Sequence, residues 1–181
     1  DTDGVAGIGV SANGMVVMAV GKGDTATVWD AETLQARYHL NLGERGSGLL
    51  KAQRKHEATV GVAVAMDGLR AATSSSCGVV ELWELQSGSQ IRQFHRTLPV
   101  SALAMSGNAS YIVACGHDGS VVVWDSAAPA DQSAGVFFGD APMKCCAIRT
   151  HCTLSDEDIV GEEDLCISAG DANGQLHALS F

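Results

Sequence analysis

Of the 181 residues, 46% are apolar and 18% charged, a balance that can build an ordinary core and excludes a disordered chain. The net charge of −10 repels phosphate backbones and anionic headgroups, so nucleic acid is not an expected partner, and no apolar run approaches the ~20 residues of a membrane span. Glycine (21) far outnumbers proline (3), which suits many short strands joined by tight turns.

The first unit, about 4–42, opens with Ile8-Gly9-Val10-Ser11-Ala12-Asn13-Gly14, an apolar stretch running into a polar turn, and reaches Val28-Trp29-Asp30. The second, about 56–97, repeats this with Val62-Ala63-Val64-Ala65-Met66-Asp67-Gly68 and Leu82-Trp83-Glu84. The third, about 98–139, has Leu103-Ala104-Met105-Ser106-Gly107-Asn108-Ala109 and Val123-Trp124-Asp125. In all three the tryptophan stands 15 residues after the last turn residue, which is the signature of one supersecondary unit used repeatedly. The fourth unit, about 141–181, is weaker. Cys146-Ala147-Ile148-Arg149 resembles a first strand, and aligning Gly174 with Gly119 puts Leu179 at the tryptophan position.

Each unit reads as four strands, a to d; in the second they are 59–65, 69–74, 79–83 and 91–94. Strand a alternates Val60, Val62 and Val64 with Gly61, Ala63 and Ala65, so large side chains share one face and tiny ones the other. That pattern suits a sheet covered on both sides by neighbouring sheets.

Two insertions interrupt the repeat. Residues 41–55 carry Arg45, Lys51, Arg54 and Lys55. Residues 150–164 replace the a–b turn of unit four and hold Asp156, Glu157, Asp158, Glu162, Glu163 and Asp164. Such mutual repulsion predicts a mobile loop whose removal costs only a few degrees of melting temperature. Thr153 and Ser155 precede acidic residues, as sites of acid-directed kinases do; Ser155 with Asp158 equally suits the cap of one helical turn.

The tract Gly116-His117-Asp118-Gly119-Ser120-Val121-Val122-Val123-Trp124-Asp125 resembles the core of a WD repeat, and so does Leu82-Trp83-Glu84-Leu85-Gln86-Ser87-Gly88 with its continuation to Phe94. The resemblance covers nearly the whole chain. It implies an all-β β-propeller segment over 1–181, with four WD-type blades, the fourth incomplete, belonging to a seven- or eight-bladed ring. The expected setting is the C-terminal part of a larger protein. The implied role is a non-catalytic, cofactor-free platform for other proteins. The alternative is a regulatory or sensor region of a larger multidomain enzyme, such as a signalling ATPase or a BEACH-type protein.

Blades of the WD family often share a hydrogen-bonded set of His, Ser/Thr, Asp and Trp. Trp29 holds the tryptophan position of unit one. His56 and Trp83 fit in unit two, where Cys77 replaces the Asp; Asp118 and Trp124 fit in unit three, where Thr97 stands at the His position. In this family the d–a and b–c connections share one face, so the basic insertion is expected beside Lys22 and His117. That patch suits an acidic protein partner, against the plainer reading of ordinary solvated loop charges.

Chemistry of other kinds finds little support. Gly21-Lys22-Gly23 lacks the Ser or Thr and the earlier glycine of a phosphate-binding loop. Cys145, Cys146, His151 and Cys152 are metal-ligand types, but neighbours on a strand point to opposite faces, so buried strand cysteines are the expectation rather than a metal site. His117-Asp118 has no evident nucleophile beside it. Six cysteines without a CxxC pair read as thiols of a reducing, intracellular compartment, the cytoplasm foremost and the nucleus as the alternative. The chain opens at strand a and ends at strand c of its fourth unit. It is therefore expected to dimerise, to bind missing blades or to aggregate, with an upstream segment as the foremost complement.

Overall fold

Period-two alternation of Val, Ile and Ala with small residues, punctuated by turn glycines, dictates strands and tight hairpins. The computed structural model describes residues 4–21, 25–42, 59–129, 132–152 and 163–180. Blade one is β1 (Val5–Val10), β2 (Val16–Gly21), β3 (Thr25–Asp30) and β4 (Ala36–Asn41). Blade two is β5 (Thr59–Val64), β6 (Arg70–Ser75), β7 (Val79–Glu84) and β8 (Ser89–His95). Blade three is β9 (Val100–Met105), β10 (Tyr111–Gly116), β11 (Ser120–Asp125) and β12 (Gly135–Phe138). Blade four is β13 (Met143–Cys152), β14 (Glu163–Asp171) and β15 (Leu176–Ser180). Each is an antiparallel meander in chain order, four-stranded in the first three blades and three-stranded in the last. Among the described residues no helix is long and apolar enough to cross a membrane.

The blades repeat down to backbone irregularities. Strand a carries a bulge at the same place in all four, between Val5 and Gly7, Thr59 and Gly61, Val100 and Ala102, and Met143 and Cys145. The last turn residues of the sequence repeat, Gly14, Gly68 and Ala109, all adopt left-handed backbone (φ 72°, 73° and 59°). An Asx-type turn precedes the left-handed residue. Asn13 and Asn108 accept from the amides of Met15 and Ser110, and Asp67 accepts from that of Leu69.

Blades stack through one recurring seam. Large residues of each strand a lie on the small ones of the preceding strand a. A Cβ added to Gly7 would lie 3.2 Å from Val62 Cγ1, one on Gly9 2.9 Å from Val64 Cγ2, and one on Gly61 3.1 Å from Leu103 Cβ. At the third seam Ala102 packs in one cluster with Cys146 and Ile148. The tryptophans follow the same direction. Trp83 is buried in the cluster with Val16, Met18, Val20 and Val28 of blade one. Trp124 is buried in the cluster with Ala72, Val80 and Phe94 of blade two, its ring centroid 5.5 Å from that of Phe94. Trp29 sits at the matching place on β3, facing away from blade two, and is half-exposed.

Two sequence expectations change here. The hairpin of blade four continues through Thr150↔Leu165, His151↔Asp164 and Cys152↔Glu163, so the ends of the 150–164 insertion are strand. Backbone pairing needs no apolar side chain, which hid it from a hydrophobic-pattern reading. And of the adjacent strand cysteines read as buried, Cys146 is half-buried and Cys145 is exposed, as is Cys166 on β14, whereas Cys115 on β10 is buried. Cys145 and Cys166 lie on the face of blade four turned away from blade three, which is exposed among the described residues.

Candidate interaction face

Strands consumed in blade packing leave the connections at the two ends of each blade to meet other molecules. At the end holding the b–c and d–a connections, the chain leaving β8 crosses the turn between β6 and β7, and Arg96 N–H donates to Gly78 O at 2.8 Å. A Cβ at Gly78 (φ 91°) would lie 2.7 Å from the carbonyl oxygens of Arg96 and Leu98. The same crossing recurs one blade on, where Gly139 N–H donates to Gly119 O at 2.9 Å. These glycines are required because another backbone passes where a side chain would be.

The crossing delivers Arg96 to blade three. Its Nη2 donates to Asp118 Oδ1 at 3.0 Å and to the Ser120 hydroxyl. Ser120 in turn donates through its hydroxyl to Oδ1 and Oδ2 of Asp118, at 2.8 and 2.9 Å, and through its amide to Oδ1. The Arg96 side chain is only 4% exposed, and room for it exists because residue 116 is glycine: a Cβ there would lie 2.3 Å from Nη2. Nη1 is also buried and has no acceptor among the described residues. Burial works against the Asp118 carboxylate, but the Ser120 hydroxyl and amide and the Arg96 charge outweigh it and hold its pKa below the usual range.

Above this set lies a groove of about 270 Å³ between β8 and the outer strands of blade three, floored by Ser120, Val122 and Trp124 and walled by Val136 and Phe138. Phe138 is exposed, as is His117 at the tip of the adjoining turn.

The expected WD-type positions fall as follows. Trp29, Trp83 and Trp124 occupy the fifth residue of β3, β7 and β11. Trp83 Nε1 donates to Thr73 Oγ1 at 2.9 Å. Cys77, at the Asp position of blade two, pairs with the Ser75 hydroxyl at 2.8 Å. Asp118 is engaged by Arg96, a residue the sequence reading passed over because it precedes Thr97, where the family pattern places the His. His56, Lys22, Arg45, Lys51, Arg54, Lys55, Thr153 and Ser155 lie outside the described residues.

Acidic residues that follow the tryptophans cap the next turn. Asp30 accepts from the amides of Thr33 and Glu32, both at 2.9 Å, and from Arg37, and these bonds bring its pKa down to about 2. Asp125 accepts from Ala127 N–H at 2.7 Å. In blade four, Asp171 accepts from the amides of Gln175 and Asn173 and meets His177 Nε2 at 3.1 Å, and its pKa is lowered, by the Gln175 amide above all. Cys146 faces blade three, where the Cys115 sulfur beside it and burial push its thiol above the ordinary range; Cys145 points the other way. Among the described residues no group of three or more His, Cys, Asp or Glu could hold a metal ion.

Residues 88–125 match the WD domain, G-beta repeat family. No curated protein matches the sequence. The fold is similar along the whole chain to the WD40 repeats of RRP9 (TM-score 0.73, 17% identity), of which the chain spans 52%. It is similar to U3-55K over 99% of the chain (TM-score 0.70, 15% identity), again spanning 52% of that protein. The computationally designed Ika4 protein is similar over the full chain (TM-score 0.68, 15% identity) and is spanned to 93%. The chain thus covers about half the length of the two natural proteins.

Proposed function

We propose that this set of WD-repeat blades is a non-catalytic platform that docks other proteins through the connections at the b–c and d–a end, in an intracellular setting. One observation carries the reading: the groove between blades two and three sets an exposed apolar wall, Val136 and Phe138, beside a charge-compensated set in which Arg96 and Ser120 are buried and Asp118 reaches the surface. Apolar anchoring beside a few fixed polar groups is how protein interfaces gain both affinity and orientation. Because the guanidinium is buried and already paired, the groove suits a peptide segment offering an apolar side chain. By the family pattern the basic insertion with Arg45, Lys51, Arg54 and Lys55, together with Lys22, would join His117 at this end and favour acidic partners.

Panning a displayed peptide library against the immobilised chain tests this. Enriched peptides should lose at least about tenfold in affinity on Phe138→Ser, a truncation of a central anchor. They should be indifferent to Leu34→Ser on the opposite end. Failure to enrich any peptide, or enriched peptides that ignore Phe138, would refute the assignment.

A further inference from the structure

Antiparallel meanders stacked in one direction gather their connections into two sets, a–b with c–d at one end and b–c with d–a at the other. The a–b turns of successive blades are joined directly. Asn13 N–H donates to Met66 O at 3.1 Å, the Asn13 side-chain amide to Asp67 O at 3.0 Å, and Met66 N–H to Gly107 O at 2.8 Å. Charge divides between the two ends. The seven segments that join a to b or c to d hold no lysine, arginine or histidine but seven carboxylates: Glu32, Asp67 and Asp131 singly, and four more between β13 and β14. The segments of the other end hold six Lys or Arg against five Asp or Glu. Asp131 and residues 153–162 lie outside the described residues; the strands they join fix the end at which their charge is carried. Of the arginines in the adjoining strand ends, Arg37 is bonded to Asp30 and Arg70 stands across from Glu84.

Within this acidic end, blade two raises an apolar spot. Met66 is 57% and Leu69 42% exposed. Blade two packs against a blade on each side, so this exposure does not come from a missing neighbour. Ala12 and Gly107 hold the Met66 position in the flanking blades, so the methionine stands above its surroundings. It rests on Gly107, where an added Cβ would lie 3.0 Å from its Cε. Leu69 belongs to the same turn, and its carbonyl accepts from Leu85 N–H at 2.8 Å, which brings the chain after Glu84 alongside. Asp67 and Glu84 are both exposed. We propose that this end is a second docking surface, for a basic segment of a partner protein that offers an apolar side chain. The apolar group lies on Met66 and Leu69, and the lysines or arginines beside it face Asp67 and Glu84. The charge selects the occupant: connections rich in carboxylates and without cations repel the phosphates of nucleic acid and lipid, and attract and orient a cationic peptide. Methionine adapts its unbranched side chain to the group it meets. The surface is separate from the groove at Phe138, and Leu34, on the c–d turn of blade one, is not part of it.

The test is binding of a short fluorescent peptide of lysine, leucine and serine to the full chain, followed by anisotropy, with the contact mapped by NMR shifts. The expected Kd is below about 100 µM at low salt, with shifts centred on residues 65–69 and the Met66 methyl. A matched peptide with glutamate for lysine should not bind, and one with serine for leucine should bind at least about fivefold more weakly. Asp67→Asn combined with Glu84→Gln, and separately Met66→Ser, should each weaken the basic peptide at least about fivefold. Asn13 and Asn108 fill the Asp67 position in the flanking blades and accept the same turn amide, so Asp67→Asn keeps the turn. Glu84 and Met66 are exposed, and unchanged far-ultraviolet dichroism checks folding. Phe138→Ser should leave the affinity unaltered, which separates this surface from the groove. No binding at about 1 mM peptide, equal binding with and without leucine, shifts centred elsewhere, or indifference to either set of substitutions would overturn the proposal.

Discussion

Trp83 and Trp29 are equivalent in sequence but not in surroundings, and replacing each by alanine separates the two. Trp83 is fully buried among Val16, Met18, Val20 and Val28, with its indole N–H bonded to Thr73 at 2.9 Å. Deleting a buried tryptophan costs about 3–5 kcal/mol through lost burial and the cavity left behind. In a domain of this size each kcal/mol is worth about 2–4 °C, so Trp83→Ala should lower the melting temperature by roughly 6–20 °C. Trp29 is half-exposed on the uncovered face of blade one and keeps fewer buried contacts. Trp29→Ala should cost under about 2 kcal/mol. Urea unfolding followed by far-ultraviolet dichroism, with unchanged m-values, is the assay. Equal losses at the two positions would refute the claim that each tryptophan is buried by the blade before it.

Gly61→Ala should destabilise by about 1–3 kcal/mol in the same assay, because the new Cβ would lie 2.7 Å from Ser74 Oγ and 3.1 Å from Leu103 Cβ, and an overpacked seam must shift. Arg96→Met should cost about 1–2 kcal/mol and remove the charge opposite Asp118, with Asp118 recovering a more ordinary pKa by NMR titration. Asp30 has a folded pKa of about 2, below its unfolded value. Its contribution is therefore complete above the unfolded value and lost as pH falls toward the folded one, and Asp30→Asn should flatten the stability profile between roughly pH 4 and 2.

The repeat was legible because blade packing writes itself along the chain. Strand a needs large residues backward and small ones forward, so Val62 and Val64 with Gly61 and Ala63 announce a sheet covered on both faces, and the 15-residue interval to tryptophan follows from a fixed b–c hairpin. Arg96 escaped because its role depends on the reach of a long side chain into the next blade and on the space at Gly116, neither of which has a local signature. Cys145 reads as buried because it occupies a strand position that is covered in the other blades. Only the arrangement of blades shows that, among the described residues, the forward face of blade four is exposed. The extension of β13 to Cys152 rests on backbone pairing beneath polar side chains, which composition does not reveal.

The central claim is that proteins dock at the groove beside Phe138. Site-specific photocrosslinking measures this directly, with the photoreactive side chain placed at Phe138 or, as the control, at the exposed Leu34 on the opposite end. The account predicts discrete protein adducts from the Phe138 position in cell extract, competed by peptides selected against the chain and absent from the Leu34 position. Equal adducts from both positions, or none at Phe138 while the chain remains folded, would contradict it.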